Sequence, residues 1–165
     1  MRENPLDKTA LLEQVIAQVQ EALRRLASGY AVARQATLDS PHVMKSKRDV
    51  TGIEASYLAN ALAGNIQERE FWLRTLRRVR LPEKPQRVAL GCVVAIGPRD
   101  VPAPRLYFLL PVCGGMELAL EGGTRTIRII TPESPVAKAL IGKEPGEAVE
   151  LPTSREGPEY IYLLA

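Results

Sequence analysis

Two patterns of apolar residues divide this chain. Behind Asp7, the residues Leu12, Ile16, Val19, Leu23, Leu26, Tyr30 and Ala33 recur at alternating steps of four and three, a spacing that gathers them on one side of a helix. It predicts a helix from Lys8 to about Ala36, roughly 40 Å long at the helical rise per residue. Asp7 is placed to cap it, and the pattern breaks at Leu38-Asp39-Ser40-Pro41. A second helix is expected after Thr51-Gly52 and onward to about Val79. Leu58, Leu62, Ile66, Leu73 and Leu76 mark its apolar side, and Arg69 interrupts it. Two striped helices joined by a polar segment predict an antiparallel hairpin, each stripe buried on the other. A lone helix with such a stripe is unstable in water. A coiled coil between two chains is the alternative; it predicts a dimer, the hairpin a monomer.

The second half changes character. Between Thr9 and Leu81 there are one proline and three glycines, and from Pro82 onward eleven prolines and nine glycines. Short apolar runs between turn residues read as strands: 87–96, 105–110, 125–130, 148–151 and 160–164. Cys113-Gly114-Gly115 and Glu121-Gly122-Gly123 mark turns. One short helix interrupts the strands. Ser134 is a good N-cap, Pro135 suits the first helical position, and Gly142 is placed to end the helix in a left-handed conformation. The expected architecture is α+β: a helical hairpin over residues 1–81, a stiff linker at Leu81-Pro82-Glu83-Lys84-Pro85, and a small antiparallel-sheet domain with one helix over 82–165.

Composition adds little beyond exclusions. No apolar run approaches the roughly 20 residues needed to span a bilayer, so no membrane association is expected. The first residues lack an apolar signal core. Two cysteines, Cys92 and Cys113, are too few for a disulfide framework and have no metal-ligand spacing, which suits buried thiols in a reducing cytosol. The first 82 residues carry four more cations than anions and the remainder one more anion than cations, an asymmetry that favours an acidic partner for the helical half. His42, the sole histidine, reads as a solvated residue, and Arg74, Arg77, Arg78 and Arg80 as a solvated helix end.

The short helix and its flanks carry a more specific signal. Ser134-Pro135, then Ala139-Leu140-Ile141-Gly142-Lys143 and Gly146-Glu147, resemble the signature of the carboxy-terminal domain of bacterial Gre-type transcript-cleavage (elongation) factors. The resemblance implies a long antiparallel hairpin, a linker and a small domain of the FKBP type. It also implies a partner, RNA polymerase. The small domain docks at the rim of the secondary channel, with Ser134, Pro135, Val136, Lys138 and Lys143 as the expected docking residues here. The hairpin enters the channel and reaches the active centre, acting on nascent RNA only indirectly. On this expectation the protein is a monomeric cytoplasmic accessory factor and not itself an enzyme.

In the family an Asp and a Glu three residues later, at the hairpin tip, help hold a second Mg²⁺, whose preferred ligands are carboxylate oxygens. Ala55-Ser56-Tyr57 matches the family's Ala-Glu-Tyr just after that tip, which puts Val50 and Ile53 at the acidic positions. Neither binds metal. The nearest carboxylates are Asp49, Glu54 and Asp39. Asp49 and Glu54 lie five apart, roughly 140° around a helix, and converge only if Asp49 belongs to the loop. No intrinsic cofactor is expected; Mg²⁺ enters only in complex with the polymerase. The tip itself carries Lys45, Lys47 and Arg48, three cations that favour phosphate over Mg²⁺. Two outcomes follow: stimulation of cleavage by displaced acids, or a channel-binding regulator or inhibitor without cleavage. An FKBP-type domain can also be a peptidyl-prolyl isomerase, but Tyr107, Phe108, Tyr160 and Tyr162 are poorly arranged for an aromatic proline pocket.

Overall fold

The computed structural model describes residues 6–39, 47–98, 104–120, 123, 125–151 and 157–165. By contacts the chain forms two compact units, Met1–Val15 with Thr75–Ala165, and Ile16–Arg74. This division differs from one drawn by composition at residue 81, because the first turns of the first helix belong to the unit that holds the sheet.

The Ile16–Arg74 unit is built from two helices, α1 (Lys8–Leu38) and α2 (Lys47–Leu76). Asp7 caps α1 as expected, its Oδ1 accepting the N–H groups of Thr9 at 2.9 Å and Ala10 at 3.1 Å. The stripe of α1 sits one position away from the expected register at several steps. Leu11, Val15, Val19 and Ala33 are buried, with Ala22, Leu26 and Gly29 half-buried, while Leu12 and Ile16 are only half-buried. Sequence spacing could not choose, because Leu11-Leu12 and Val15-Ile16 are adjacent apolar pairs that satisfy either register.

Helix α2 starts at Lys47, several residues earlier than expected. Gly52 lies inside it, a cost of only about 1 kcal/mol relative to alanine. Its inward positions are Ala55, Ala59, Leu62, Ile66, Arg69, Leu73 and Leu76, all half-buried or buried at steps of four and three. Leu58, expected on that stripe, is 54% exposed. Arg69 fits the stripe and does not break it. Its guanidinium carbon sits 3.9 Å from the centre of the Trp72 ring, and its Nη1 lies 2.9 Å from Glu68 Oε2. The aliphatic stem can then cover apolar surface while the charge stays satisfied. The helices face one another where a Cβ on Gly29 would lie 3.7 Å from Leu62 Cδ1.

The other unit holds a six-stranded sheet: β1 (Val93–Gly97), β2 (Arg105–Leu109), β3 (Glu117–Leu120), β4 (Arg125–Ile130), β5 (Ala148–Val149) and β6 (Glu159–Leu164), with α3 (Pro135–Leu140) between β4 and β5. Strand order is β3-β4-β2-β1-β6-β5. The sheet is mixed, a correction to the expected antiparallel one: β4 inserts beside β2 in parallel, Leu106 opposite Ile127, and the other pairings are antiparallel. The strand that makes this possible, β3, has four residues between glycine pairs, which is why the turn signals concealed it. The first strand is also shorter than expected, because Ala89–Cys92 forms a turn closed by Cys92 N–H to Ala89 O at 3.1 Å.

Helix α3 behaves as its sequence predicts. Ser134 Oγ accepts the Ala137 N–H at 3.1 Å, Pro135 opens the helix, and Gly142 leaves it at φ +83°. Gly142 N–H then bonds Val88 O, and Lys143 O accepts Val88 N–H, each at 2.8 Å. Ser134→Ala should cost about 1 kcal/mol of unfolding free energy; a urea denaturation midpoint unchanged from wild type would contradict that role. Ala137 and Leu140 pack with Val94, Ile96, Tyr107, Leu109, Ile130 and Ile161. Val93, Phe108, Leu118, Ile127 and Ile129 are also fully buried; alternation puts Val93, Phe108, Ile127 and Ile129 on the opposite side of their strands. Central strands buried on both sides explain the near-continuous apolar runs of β1 and β2. Cys92 and Cys113 are buried and form no disulfide, and burial pushes the Cys92 thiol up from its ordinary range.

Candidate functional site

The helix α3 covers only part of the sheet. Of β3 and β4, Ile130 alone joins the core beneath it. The uncovered part forms the floor of a cleft of about 740 Å³, and the cleft reaches to Ser134 and Val136 at the start of α3. Alternation along the strands fixes which side chains share this face: Arg105 and Tyr107 of β2, Thr126 and Arg128 of β4, and Glu117 of β3. Glu117 stands directly opposite Arg128 in the β3–β4 ladder. Its Oε1 accepts from Arg128 Nε at 3.0 Å and Nη2 at 2.6 Å. Both side chains are about half exposed, so the pair contributes at most about 1 kcal/mol.

The other charged pair differs in kind. Arg105 Nη2 donates to Glu159 Oε1, and the Glu159 side chain is only 3% exposed against 44% for Arg105. The Glu159 hydrogen bond holds the Arg105 guanidinium above its already high ordinary range. Among the described residues, Glu159 Oε2 has no hydrogen-bond partner.

The expected docking residues separate into two groups. Ser134 and Val136 line the cleft; Pro135, Lys138 and Lys143 do not. Lys143 Nζ instead lies 3.5 Å from Glu147 Oε1. The Glu144 N–H, bonded to Glu147 at 2.6 Å, holds that carboxyl below its usual range, with the Lys143 charge assisting. Arg105, Glu117, Thr126 and Arg128 are the cleft residues that sequence reasoning missed. The available signal was an arginine inside the apolar strand Thr126-Ile127-Arg128-Ile129-Ile130.

The connection between α1 and α2 is the second candidate. Lys45 and His42 lie outside the described residues. Lys47, Arg48 and Asp49 belong to the first turn of α2, which corrects the loop placement that convergence of Asp49 and Glu54 required. Within one helix their Cα atoms stand roughly 140° apart around the axis. Glu54 is exposed. Asp39 follows α1, its Oδ1 accepting from Gln35 Nε2 at 2.9 Å. Asp49 and Glu54 thus occupy different sides of the α2 backbone, and no cluster of metal-ligating side chains occurs among the described residues. Large apolar side chains are exposed on both helices near this end: Val32, Leu38, Ile53, Tyr57 and Leu58.

The cleft is a poor proline pocket. Among the described residues Tyr107 is its only aromatic lining residue and is itself buried, while Phe108 is fully buried in the core. No helix of the described residues is long and apolar enough to cross a membrane.

Fold and site together define an α+β protein with an antiparallel helix pair and a mixed-sheet unit bearing an arginine-lined cleft beside a serine-capped helix. No protein-family model matches the chain, and no curated protein matches it. Among solved structures it is similar to GreA factor homolog 1 (Gfh1) of Thermus thermophilus, at 19% identity and TM-score 0.36, covering 91% of this chain and 94% of that one. It is also similar to Thermus aquaticus Gfh1, at 20% identity and TM-score 0.36, with 94% and 92% covered. A further structure, of the transcription factor Gfh1, aligns at 18% identity and TM-score 0.35 over 89% and 90%.

Proposed function

We propose that this protein is a Gre-type accessory factor of RNA polymerase that modulates elongation from the secondary channel without supplying the carboxylate pair that supports transcript cleavage. The sheet unit docks at the channel rim, and the connected ends of α1 and α2 work at the active centre. The chain acts as a monomer in the cytoplasm, has no resident cofactor and is not itself an enzyme. The motif from Ser134 to Gly142 supports the partner: the residues that resemble the Gre signature form a capped helix with its N-terminus at an open cleft.

One observation carries the loss of cleavage. The positions aligned with the family's acids hold Val50 and Ile53, and the nearest acidic residues, Asp49 and Glu54, occupy backbone positions roughly 140° apart around one helix. Without two convergent carboxylates a second Mg²⁺ has no ligand pair from this chain. Exposed Leu38, Ile53, Tyr57 and Leu58 near the same end suit contact with a partner's interior more than with bulk water.

The test is RNA cleavage in purified backtracked elongation complexes. Binding to polymerase is expected, with no acceleration of cleavage and with competition against a cleavage-competent factor. Accelerated cleavage would sink the regulator reading, and absence of binding would sink the whole assignment. Lys45→Glu with Lys47→Glu should alter the effect on elongation and leave polymerase affinity unchanged. A collapse of affinity would show that these cations anchor the protein.

A further inference from the structure

We infer that the helix pair carries a joint at the level of Gly29 and Gly64, and that the segment beyond it, 30–38 with 53–63, opens as a unit to give its apolar side chains to a partner. That this partner is the polymerase rests on the function proposed above.

Three observations point to the joint. The first is placement. A Cβ on Gly29 would lie 3.7 Å from Leu62 Cδ1, and Gly64 follows Leu62 by two residues, about 3 Å along the axis. The two glycines therefore weaken both helices within one turn of each other. Gly52 is the remaining glycine between Thr9 and Leu81. It lies beyond the same level, so neither helix has a glycine on the other side of it.

The second is that neither space nor backbone requires glycine here. A Cβ at Gly64 meets nothing within 4 Å, and the contact at Gly29 is an ordinary van der Waals distance. Neither residue has a left-handed φ. Gly91 shows the contrast, since a Cβ there would lie 2.6 Å from Arg80 O. Alanine fits at 29 and 64, and what glycine brings instead is a softer helix, because its backbone gains the most freedom on leaving helical geometry. Paired at one level, the two glycines mark where both helices bend or part at least cost.

The third is packing. On the near side of the joint Val19 and Leu73 are buried, and Arg69 stacks on Trp72. Beyond it, Ala33 is the only fully buried side chain among the described residues, and the inward positions of α2 are Ala55 and Ala59. The large apolar side chains lie outside: Val32, Leu38, Ile53, Tyr57 and Leu58 are all more than half exposed. An interior of methyl groups holds this segment weakly. Its outer apolar surface is removed from water only against another molecule. Opening therefore costs little and is favoured when a partner takes that surface.

The test is native-state hydrogen exchange of the full chain, for wild type and for Gly29→Ala combined with Gly64→Ala. In wild type the amides of 31–37 and 55–62 should share one opening equilibrium and one denaturant slope, with a step to higher protection at 20–27 and 66–72. Each glycine-to-alanine change favours helix by a factor of about five, so the double variant should slow exchange beyond the joint about 25-fold. Protection that declines smoothly along the helices with no step, or that is unchanged in the double variant, overturns the joint. Binding to purified RNA polymerase is then measured for both proteins. Where opening precedes contact, affinity should fall by the same factor as exchange. A double variant that exchanges more slowly yet binds as tightly as wild type overturns the link between opening and the partner. A wild-type chain that shows the step but does not bind polymerase overturns the polymerase reading and leaves the joint.

Discussion

Gly91→Ala is expected to lower the unfolding free energy by about 3 kcal/mol, from a left-handed backbone penalty of about 1–2 kcal/mol and a crowding penalty of similar size. Gly91 has φ +86°. A Cβ built on it would lie 2.6 Å from the carbonyl oxygen of Arg80, 3.0 Å from Pro82 Cδ and 3.3 Å from Leu81 Cα. Two of the three contacts are backbone, so no rotamer change relieves them. Neither side is free to move. Gly91 N–H bonds Leu109 O at 2.8 Å, and Pro82 O accepts from Lys8 Nζ. Gly142→Ala is the matched control. Its φ is also left-handed, +83°, but a Cβ there meets nothing within 4 Å, so only the backbone penalty of about 1 kcal/mol applies. Urea denaturation of both variants separates the two causes. Equal losses would mean that the close approach to Arg80 contributes nothing.

Arg105→Ala is expected to cost roughly 3 kcal/mol at neutral pH. The reason is what it leaves behind: a Glu159 carboxylate buried without its cation. Removing one partner of a buried ion pair costs about 3–5 kcal/mol, and the lower end applies because Arg105 is 44% exposed and water can enter where it was. Glu159 Oε2 is unpartnered among the described residues even in the intact protein, so loss of the one strong bond has no substitute. Replacing both residues by methionine should restore most of the stability, since two apolar side chains of similar length need no charge compensation. If the double variant is as unstable as Arg105→Ala, the loss comes from packing around β2 and not from the orphaned charge.

The candidate site was only partly legible in advance. Ser134, Pro135 and Gly142 announce a short helix through backbone chemistry alone, because capping oxygen, fixed φ and left-handed tolerance are properties of single residues. Ser134 and Val136 do line the cleft. The arginines were hidden because Arg128 looks like an ordinary outward residue on a strand until β3 brings Glu117 opposite it. At the α1–α2 connection the residue identities already removed the expected acid pair. Whether Asp49 could stand in depended on where α2 begins, and Gly52 was a misleading marker because helices tolerate one glycine at modest cost.

Local sequence determined the elements: a capped α1 behind Asp7, a long α2, short strands between glycine and proline turns, and α3 with both its ends. These follow from forces that act within a few residues. Tertiary structure alone decided the register of the stripes, since Leu11-Leu12 and Val15-Ile16 offer two apolar faces and only packing selects one. It also decided that Arg69 lies inward on Trp72 while Leu58 faces out. The parallel pairing of β2 with β4, and with it the cleft, arises from residues some twenty positions apart. Pairing at that distance depends on which buried surfaces find each other, and no local pattern encodes it.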